Sequence, residues 1–175
     1  MKVILAVVTS IDGKTTKGNE PGQGWASVED QQHIHDLIDN SKVIVMGSNT
    51  YREVKPHQKL SPKTRRIIMT HEPEVFKDDV VLGQREFTSE SPKELVSRLE
   101  KENYKELLLV SGEKLSAVFL AKNLVNELWI TIEPLLFGEG KGITTALPES
   151  INLELISSEK LNVKGTLLLK YKVGS

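Results

Sequence analysis

Three side chains with reactive groups follow the first hydrophobic segment of the chain. Ser10, Asp12 and Lys14 place a hydroxyl, a carboxylate and an ammonium directly after the apolar run Val3 to Val8. Ligand crevices of open α/β sheets lie outside the carboxyl ends of the strands, so this segment is predicted to face a substrate. The alternative is an ordinary surface turn, because Asp-Gly tolerates positive φ and commonly joins two elements.

A second carboxylate, Asp30, lies near the start of the first predicted helix. Ser27 is the predicted N-cap of a helix from Val28 to Asn40, and Asp30 stands at its third position. Asp30 is therefore either a capping carboxylate favoured by the helix dipole or a general acid for a bound heterocycle. His33 and His35 are two residues apart on this helix and share no face, so no metal site is predicted there.

Three further strand ends carry glycine or small polar residues that suit phosphate groups. Glycine lets a ligand approach the backbone, and a helix that starts there offers free N–H groups. Neither Gly-x-Gly-x-x-Gly nor Gly-Lys-Ser/Thr occurs, which favours a dinucleotide lying across several strand ends over a Rossmann or P-loop site. The predicted cofactor-binding residues are Gly47, Ser48, Asn49 and Thr50, then Thr70 and His71, and finally Ser111, Gly112, Glu113 and Lys114.

Alternating hydrophobic and amphipathic segments predict an α/β fold in one domain over residues 1–175. Strands that alternate with helices predict a largely parallel sheet covered on both faces, which a C-terminal antiparallel hairpin extends. The predicted helices are Val28 to Asn40, Pro92 to Lys101 and about Glu113 to Asn123. The predicted strands are Val3–Val8, Lys42–Met46, Arg66–Thr70, Val80–Leu82, Glu106–Val110, Leu128–Glu133, Leu153–Glu159 and Gly165–Val173.

The composition excludes several classes of protein. The 175 residues include no cysteine, which rules out disulfides, thiolate zinc sites and a cysteine nucleophile. A formal net charge of -1 gives no global field for nucleic acid or for an anionic membrane. No apolar run approaches the ~18 residues of a membrane span. We therefore expect a cytoplasmic protein that acts on a small molecule.

Several segments resemble the dihydrofolate reductase superfamily. The segment Val45 to Tyr51 is similar to the Met-Gly-x-x-Thr-aromatic motif of this superfamily. The segment Trp25 to Asp30 is similar to the one that leads to the catalytic carboxylate of dihydrofolate reductases. Ser10 to Lys14 instead resembles the pyrimidine reductase domain of riboflavin biosynthesis, which is often fused to a deaminase. Leu124 to Leu128 and Pro134 to Gly140 are similar to the "LVDEL…P.LLG.G" signature of that branch.

This resemblance implies a three-layer α/β/α fold around a mostly parallel mixed sheet, with NADPH as the cofactor and a homodimer as the assembly. It implies that a ribosylaminopyrimidine phosphate is reduced at C1′ of its open-chain imine, with no metal ion. Asp12, Lys14 and Asp30 would act in catalysis on the substrate side of the nicotinamide. The implied substrate-binding residues are Ser10, Trp25, Ser27 and Lys55.

Two other functions stay open on the residues alone. A dihydrofolate reductase would use Asp30 as its pterin carboxylate, and a non-catalytic domain would bind nucleotide on the same scaffold.

The sequence departs from the family pattern at several positions. Ser48 and Ser111 stand where the superfamily often has arginine and glycine, respectively. Glu53 to Leu60 lacks the Asp-x-Pro-x-Leu segment of the riboflavin enzymes. Lys55 in this loop either grips a substrate phosphate or belongs to a solvated surface.

Overall fold

The computed structural model describes residues 1–174, which form one mixed sheet of eight strands in the order β4-β3-β2-β5-β1-β6-β8-β7. The first six strands run parallel, and β8 is antiparallel to both β6 and β7. The strands are β1 (Lys2–Ser10), β2 (Val43–Gly47), β3 (Arg65–Met69), β4 (Arg85–Thr88), β5 (Glu106–Leu109), β6 (Glu127–Glu133), β7 (Leu153–Lys160) and β8 (Leu167–Val173). The helices are α1 (Val28–Asn40), α2 (Ser48–Val54), α3 (Pro92–Lys101) and α4 (Glu113–Ala121), with 3₁₀ helices at Lys55–His57 and Pro73–Asp79.

The helix starts follow the capping chemistry of the sequence. The Ser27 hydroxyl accepts a hydrogen bond from the N–H of Asp30, and Ser91 forms a reciprocal capping box with Glu94. These caps satisfy N–H groups that have no partner within the helix, which fixes the first residue of each helix. The predicted bounds of α1 and α3 are confirmed.

The predicted strand Val80–Leu82 is wrong. Val81 exchanges two backbone hydrogen bonds with Arg85, and the chain reverses between them through Gly83, which has a φ of 74°. The branched residues at 80–82 therefore lead into a turn, in which Leu82 is 97% exposed. The fourth strand is Arg85–Thr88, a segment whose polar residues gave no strand pattern.

The two faces of the sheet bury separate hydrophobic clusters, because side chains alternate along each strand. Val3 and Leu5 of β1 pack in the cluster under α3 and α4, whereas Ile4 and Ala6 pack in the cluster under α1 and α2. The helix that follows β5 thus lies on one face of the sheet, whereas the helices that follow its neighbours β1 and β2 lie on the other face. Such a switch point opens a crevice at the carboxyl ends of these strands. No helix in residues 1–174 has both the length and the apolar character that a membrane crossing requires.

Helix α1 runs along β6 through pairs of residues that are spaced by three on the helix and by two on the strand. Three helical residues rise about 4.5 Å and two strand residues about 6.6 Å, so a short series of such pairs can stay in contact. Because the strand residues alternate by two, they all point toward α1. The pairs are Ser27 with Glu133, Asp30 with Thr131, and His33 with Trp129.

The third of these pairs makes the stability of the fold depend on pH. Burial of the His33 ring and the positive charge of Lys170 lower the pKa of His33. Its ordinary pKa in the unfolded chain is about 6.5, so the unfolded chain binds a proton that the folded chain resists. We therefore expect the melting temperature to fall as the pH drops below about 6.5.

Thermal melts of His33→Phe over a pH series measure this contribution. Phenylalanine keeps a ring against Trp129 but carries no titrating group, so the acid-side fall should become shallower. His35→Gln is the matched control, because His35 is exposed on the same helix, and it should keep the wild-type slope. Equal slopes for His33→Phe and wild type would contradict the assignment to His33.

Candidate active site

The turn after β1 is held by its own side chains. The Ser10 hydroxyl donates to Asp12 Oδ1 at 2.6 Å and accepts from the backbone N–H of Lys14 at 3.0 Å. The Ser10 N–H donates to the Lys14 carbonyl at 2.9 Å, which closes the turn. Within residues 1–174 the Lys14 ammonium group takes part in none of the ion pairs. Of these three groups, the ammonium is the one available to an anionic ligand.

Asp12 fastens the β1–α1 loop (residues 11–27) to the β6–β7 loop (residues 134–152). Its Oδ1 accepts from the N–H of Phe137 at 3.1 Å and its Oδ2 from the N–H of Gly138 at 2.7 Å. Hydrogen bonds from the Ser10 hydroxyl and from these backbone groups lower the pKa of Asp12 to about 2. At neutral pH Asp12 is thus an ionised acceptor that orders the site, and it has no proton to give.

The same two loops are joined at several other points. The N–H of Ile11 donates to the Leu135 carbonyl at 2.9 Å, and the N–H of Thr15 donates to the Lys141 carbonyl at 2.8 Å. The Trp25 ring packs edge-on against Phe137, with 4.9 Å between ring centroids. The indole N–H of Trp25 is buried and has no acceptor in residues 1–174. A buried donor without an acceptor is costly, so this position suits a ligand that can accept.

Asp30 is buried at the same end of the sheet, with 5% of its surface exposed. Burial raises the pKa of its carboxyl, the Thr131 side chain opposes that change, and the negative charge of Glu133 adds to the rise. A carboxyl that resists ionisation beside a ligand crevice can hold a proton for a reaction. The Asp30 N–H therefore donates to the Ser27 cap of α1, while its side chain presents a carboxyl suited to acid chemistry.

Glu133 is the prominent residue of this region that sequence reasoning missed. It ends β6 in register with Ser10, and only 3% of its surface is exposed. Its Oε1 accepts from the N–H and the hydroxyl of Ser27 at 2.8 and 2.6 Å, and its Oε2 from the Thr166 hydroxyl at 2.7 Å. The available signal was a carboxylate at the end of an otherwise apolar strand, since such a group must find partners when it is buried.

The predicted dinucleotide residues lie at the carboxyl ends of three neighbouring strands. Gly47 and Gly112 precede α2 and α4, and neither helix start has a side-chain cap. A Cβ atom at Gly112 would meet nothing within 4 Å, so there is open space above this backbone. Glu113 accepts from the N–H of Gly142 at 3.0 Å, which ties this strand end to the β6–β7 loop as well. Ser111 shares a hydrogen bond with Ser116 at 2.9 Å.

The remaining predicted residues lie further from the β1 turn. Thr70 and His71 follow β3, where the Thr70 N–H donates to the Thr88 carbonyl at 2.9 Å. Lys55, which was predicted to bind substrate, has its partner at another strand. Its ammonium contacts both carboxylate oxygens of Asp79, at 2.6 and 2.7 Å, beside the edge strand β4. This ion pair holds the Lys55 ammonium beside β4.

The whole chain has counterparts among known proteins. Residues 1–167 match the RibD C-terminal domain family. The chain is 25% identical over 171 residues to the uncharacterized protein YwjB of Bacillus subtilis, with 94% of this chain and 90% of YwjB covered.

Solved structures share its fold. A putative riboflavin biosynthesis protein from Shewanella sp. PV-4 superposes with a TM-score of 0.76, at 20% identity and with 100% of both chains covered. A diaminohydroxyphosphoribosylaminopyrimidine deaminase/5-amino-6-(5-phosphoribosylamino)uracil reductase from Thermotoga maritima superposes with a TM-score of 0.75 at 14% identity, over 98% of this chain and 56% of that one. These findings confirm the predicted fold class and the predicted resemblance to the riboflavin branch.

Proposed function

This chain belongs to the RibD C-terminal domain family, and we propose that it is an NADPH-dependent reductase of a small nitrogen heterocycle. The preferred substrate is a ribosylaminopyrimidine phosphate, reduced at C1′ of its open-chain imine. The single observation that carries this proposal is the buried Asp30 carboxyl at the sheet switch point. Reduction of a C=N bond needs a proton as well as a hydride, and Asp30 is a side chain that can hold the proton there.

The strand ends beside the switch point fit a dinucleotide. Gly47 and Gly112 begin two helices without side-chain caps, and the space above Gly112 is open. Backbone N–H groups at such positions bind phosphate oxygens, so Gly47 to Thr50 and Ser111 to Lys114 would hold NADPH. When bound, NADPH supplies the hydride, and the protein supplies orientation and electrostatics.

The residues around β1 would act on the substrate. Asp30 would donate its proton to the imine nitrogen as the carbon accepts the hydride, which leaves a neutral amine and an Asp30 carboxylate that solvent reprotonates. The buried indole N–H of Trp25 would donate to a ring oxygen or nitrogen. The Lys14 ammonium would pair with an anionic group of the substrate. Asp12 would hold the β6–β7 loop in place around them.

An NADPH oxidation assay on the ribosylaminopyrimidine phosphate and on dihydrofolate, run side by side, tests the proposal. We expect turnover of the first substrate and saturable NADPH binding in a fluorescence titration. Asp36→Asn is the control variant, because Asp36 is exposed on α1 away from the crevice, and it should keep wild-type turnover. A protein that binds no NADPH would refute the proposal.

A dihydrofolate reductase is the second candidate function, and the burial of Asp30 favours it. Asp30 lies five residues after Trp25, and both side chains have buried polar groups at the crevice. A buried carboxyl and a buried N–H donor suit the polar groups of a pterin ring as well as an imine. Turnover of dihydrofolate with tight methotrexate binding in the same assay would establish this function over the preferred one.

A further inference from the structure

Glu133 is a buried carboxylate whose three contacts all donate to it. The donors are the Ser27 N–H, the Ser27 hydroxyl and the Thr166 hydroxyl, at 2.6 to 2.8 Å. A protonated carboxyl would offer a donor of its own, so this arrangement suits the acceptor-only, ionised form. None of the ion pairs in residues 1–174 involves Glu133, so its negative charge is balanced by neutral dipoles alone.

Asp30 lies within the reach of this charge. The Ser27 hydroxyl bridges the two residues, because it donates to Glu133 Oε1 at 2.6 Å and accepts from the N–H of Asp30 at 3.2 Å. Thr131, which is paired with Asp30, lies two residues before Glu133 on β6. Thr131 and Glu133 therefore point to the same face of the sheet. Two carboxylates in one buried region cannot both ionise without cost.

The other charged groups on the elements around Asp30 act on other residues. On α1, Glu29 accepts from Asn162 at 3.1 Å, and Lys164 lies near Glu29. One turn further along α1, the ring of His33 stacks on Trp129, with Lys170 of β8 and Glu159 of β7 nearby. On the β1 turn, Asp12 is held by the β6–β7 loop. Of all these groups, Glu133 is the one whose charge acts on Asp30.

We propose that Glu133 is a positioning residue that keeps Asp30 in its proton-bearing form through the like charge it holds beside Ser27. Thr166 and Asn162 extend this arrangement into the turn between β7 and β8. Asn162 Nδ2 donates to the Thr166 hydroxyl at 2.9 Å, and that hydroxyl donates to Glu133. The C-terminal hairpin thereby stabilises the charge of Glu133, and that charge adds to the effect of burial in favouring the protonated form of Asp30. This role rests on the proposed function, in which Asp30 donates a proton.

The titration of Asp30 tests the proposal without any turnover. Protein labelled with ¹³C at the aspartate carboxyl carbons is titrated by NMR, and the Asp30 signal is assigned as the one that Asp30→Asn removes. In wild type we expect a midpoint above the ordinary aspartate value of about 3.9. In Glu133→Gln, which keeps the size of the side chain, we expect the midpoint to fall toward that value. An unchanged midpoint in this variant would overturn the proposal.

Two further variants separate charge from structure. Glu133→Asp keeps the charge and should keep the Asp30 midpoint raised. If Glu133→Gln loses its near-UV circular dichroism and so is not folded, Glu133→Asp is the variant that tests the proposal. Equal falls in both variants would show that Glu133 acts only by holding α1 in place, which contradicts the proposal. Glu127→Gln makes the same chemical change at the other end of β6 and should leave the Asp30 midpoint at its wild-type value.

The pH profile of kcat links this result to catalysis. A proton donor loses activity as the pH rises through its pKa, so the alkaline limb of the profile should move to lower pH in Glu133→Gln, while KM for NADPH stays unchanged. A shifted NMR midpoint with no turnover in wild type would support the role of Glu133 and refute the proposed reductase. A uniform loss of kcat at all pH values, with no displaced limb, would count against the role of Glu133.

Discussion

Asp30→Asn is expected to remove most of the reductase activity and at the same time to raise the melting temperature. The amide cannot donate a carboxylic proton to the substrate, and general acid catalysis contributes about 10²–10⁴-fold in rate. We therefore expect kcat to fall by about that factor, with NADPH affinity unchanged because the proposed function places Asp30 on the substrate side of the nicotinamide.

The gain in stability follows from the sign of the pKa shift. Burial raises the pKa of Asp30, so the folded state binds this proton more tightly than the unfolded state does. The associated stability is present at low pH and is lost as the pH rises through the folded pKa. Asparagine has no carboxyl proton to lose, so we expect Asp30→Asn to melt at a higher temperature than wild type at pH 7.

Melts at two pH values identify the cause of the gain. The difference between Asp30→Asn and wild type should shrink when both are measured below the ordinary aspartate pKa of about 3.9, where the carboxyl is protonated in both states. Asp36→Asn makes the same substitution at an exposed position of α1 and should change neither activity nor melting temperature. Full activity in Asp30→Asn would remove Asp30 from the mechanism.

Much of the fold was predictable because its signals are local. The N-caps Ser27 and Ser91 fix the starts of α1 and α3. The runs of branched residues in β1 and β6 are typical of strands. The strand Arg85–Thr88 was not predictable in this way. Its residues are all half-buried and polar residues dominate, so its pairing with β3 depends on contacts that are remote in sequence.

The position of a site residue was predictable where the residue lies at the end of a strand or the start of a helix. The role of a residue was not predictable where it depends on a partner that is distant in sequence. Ser10 and Asp30 lie beside the switch point because the elements that carry them end or begin there. Asp12 is fastened by Phe137 and Gly138, which lie about 125 positions later in the chain. The ion pair between Lys55 and Asp79, and the burial of Glu133, depend on the same kind of long-range packing. No local pattern encodes the ion pair, and the local signal for Glu133 indicates only that a buried carboxylate needs partners, not which residues they are.

Gly140→Ala is expected to open the contact between the β1–α1 and β6–β7 loops. Gly140 has a φ of 146°, and an added Cβ would overlap the backbone carbonyl oxygen of Thr16, which cannot move aside as a side-chain tip would. Separation of the loops breaks the hydrogen bonds from Thr15 to Lys141 and from Gly18 to Glu139. Backbone strain of about 1–3 kcal/mol and hydrogen bonds of about 0.5–1.5 kcal/mol each are then at stake.

Local opening limits the total, so we expect a loss of about 2–4 kcal/mol in the free energy of unfolding, together with a fall in kcat. Urea melts and the turnover assay measure the two effects. Gly138→Ala is the matched control, because Gly138 also has a positive φ, 73°, but its added Cβ would meet nothing within 4 Å. Gly138→Ala should be destabilised only by the strain of its backbone conformation, and it should keep the N–H that binds Asp12. Equal losses in the two variants would mean that φ, and not the approach to Thr16, makes glycine necessary at position 140.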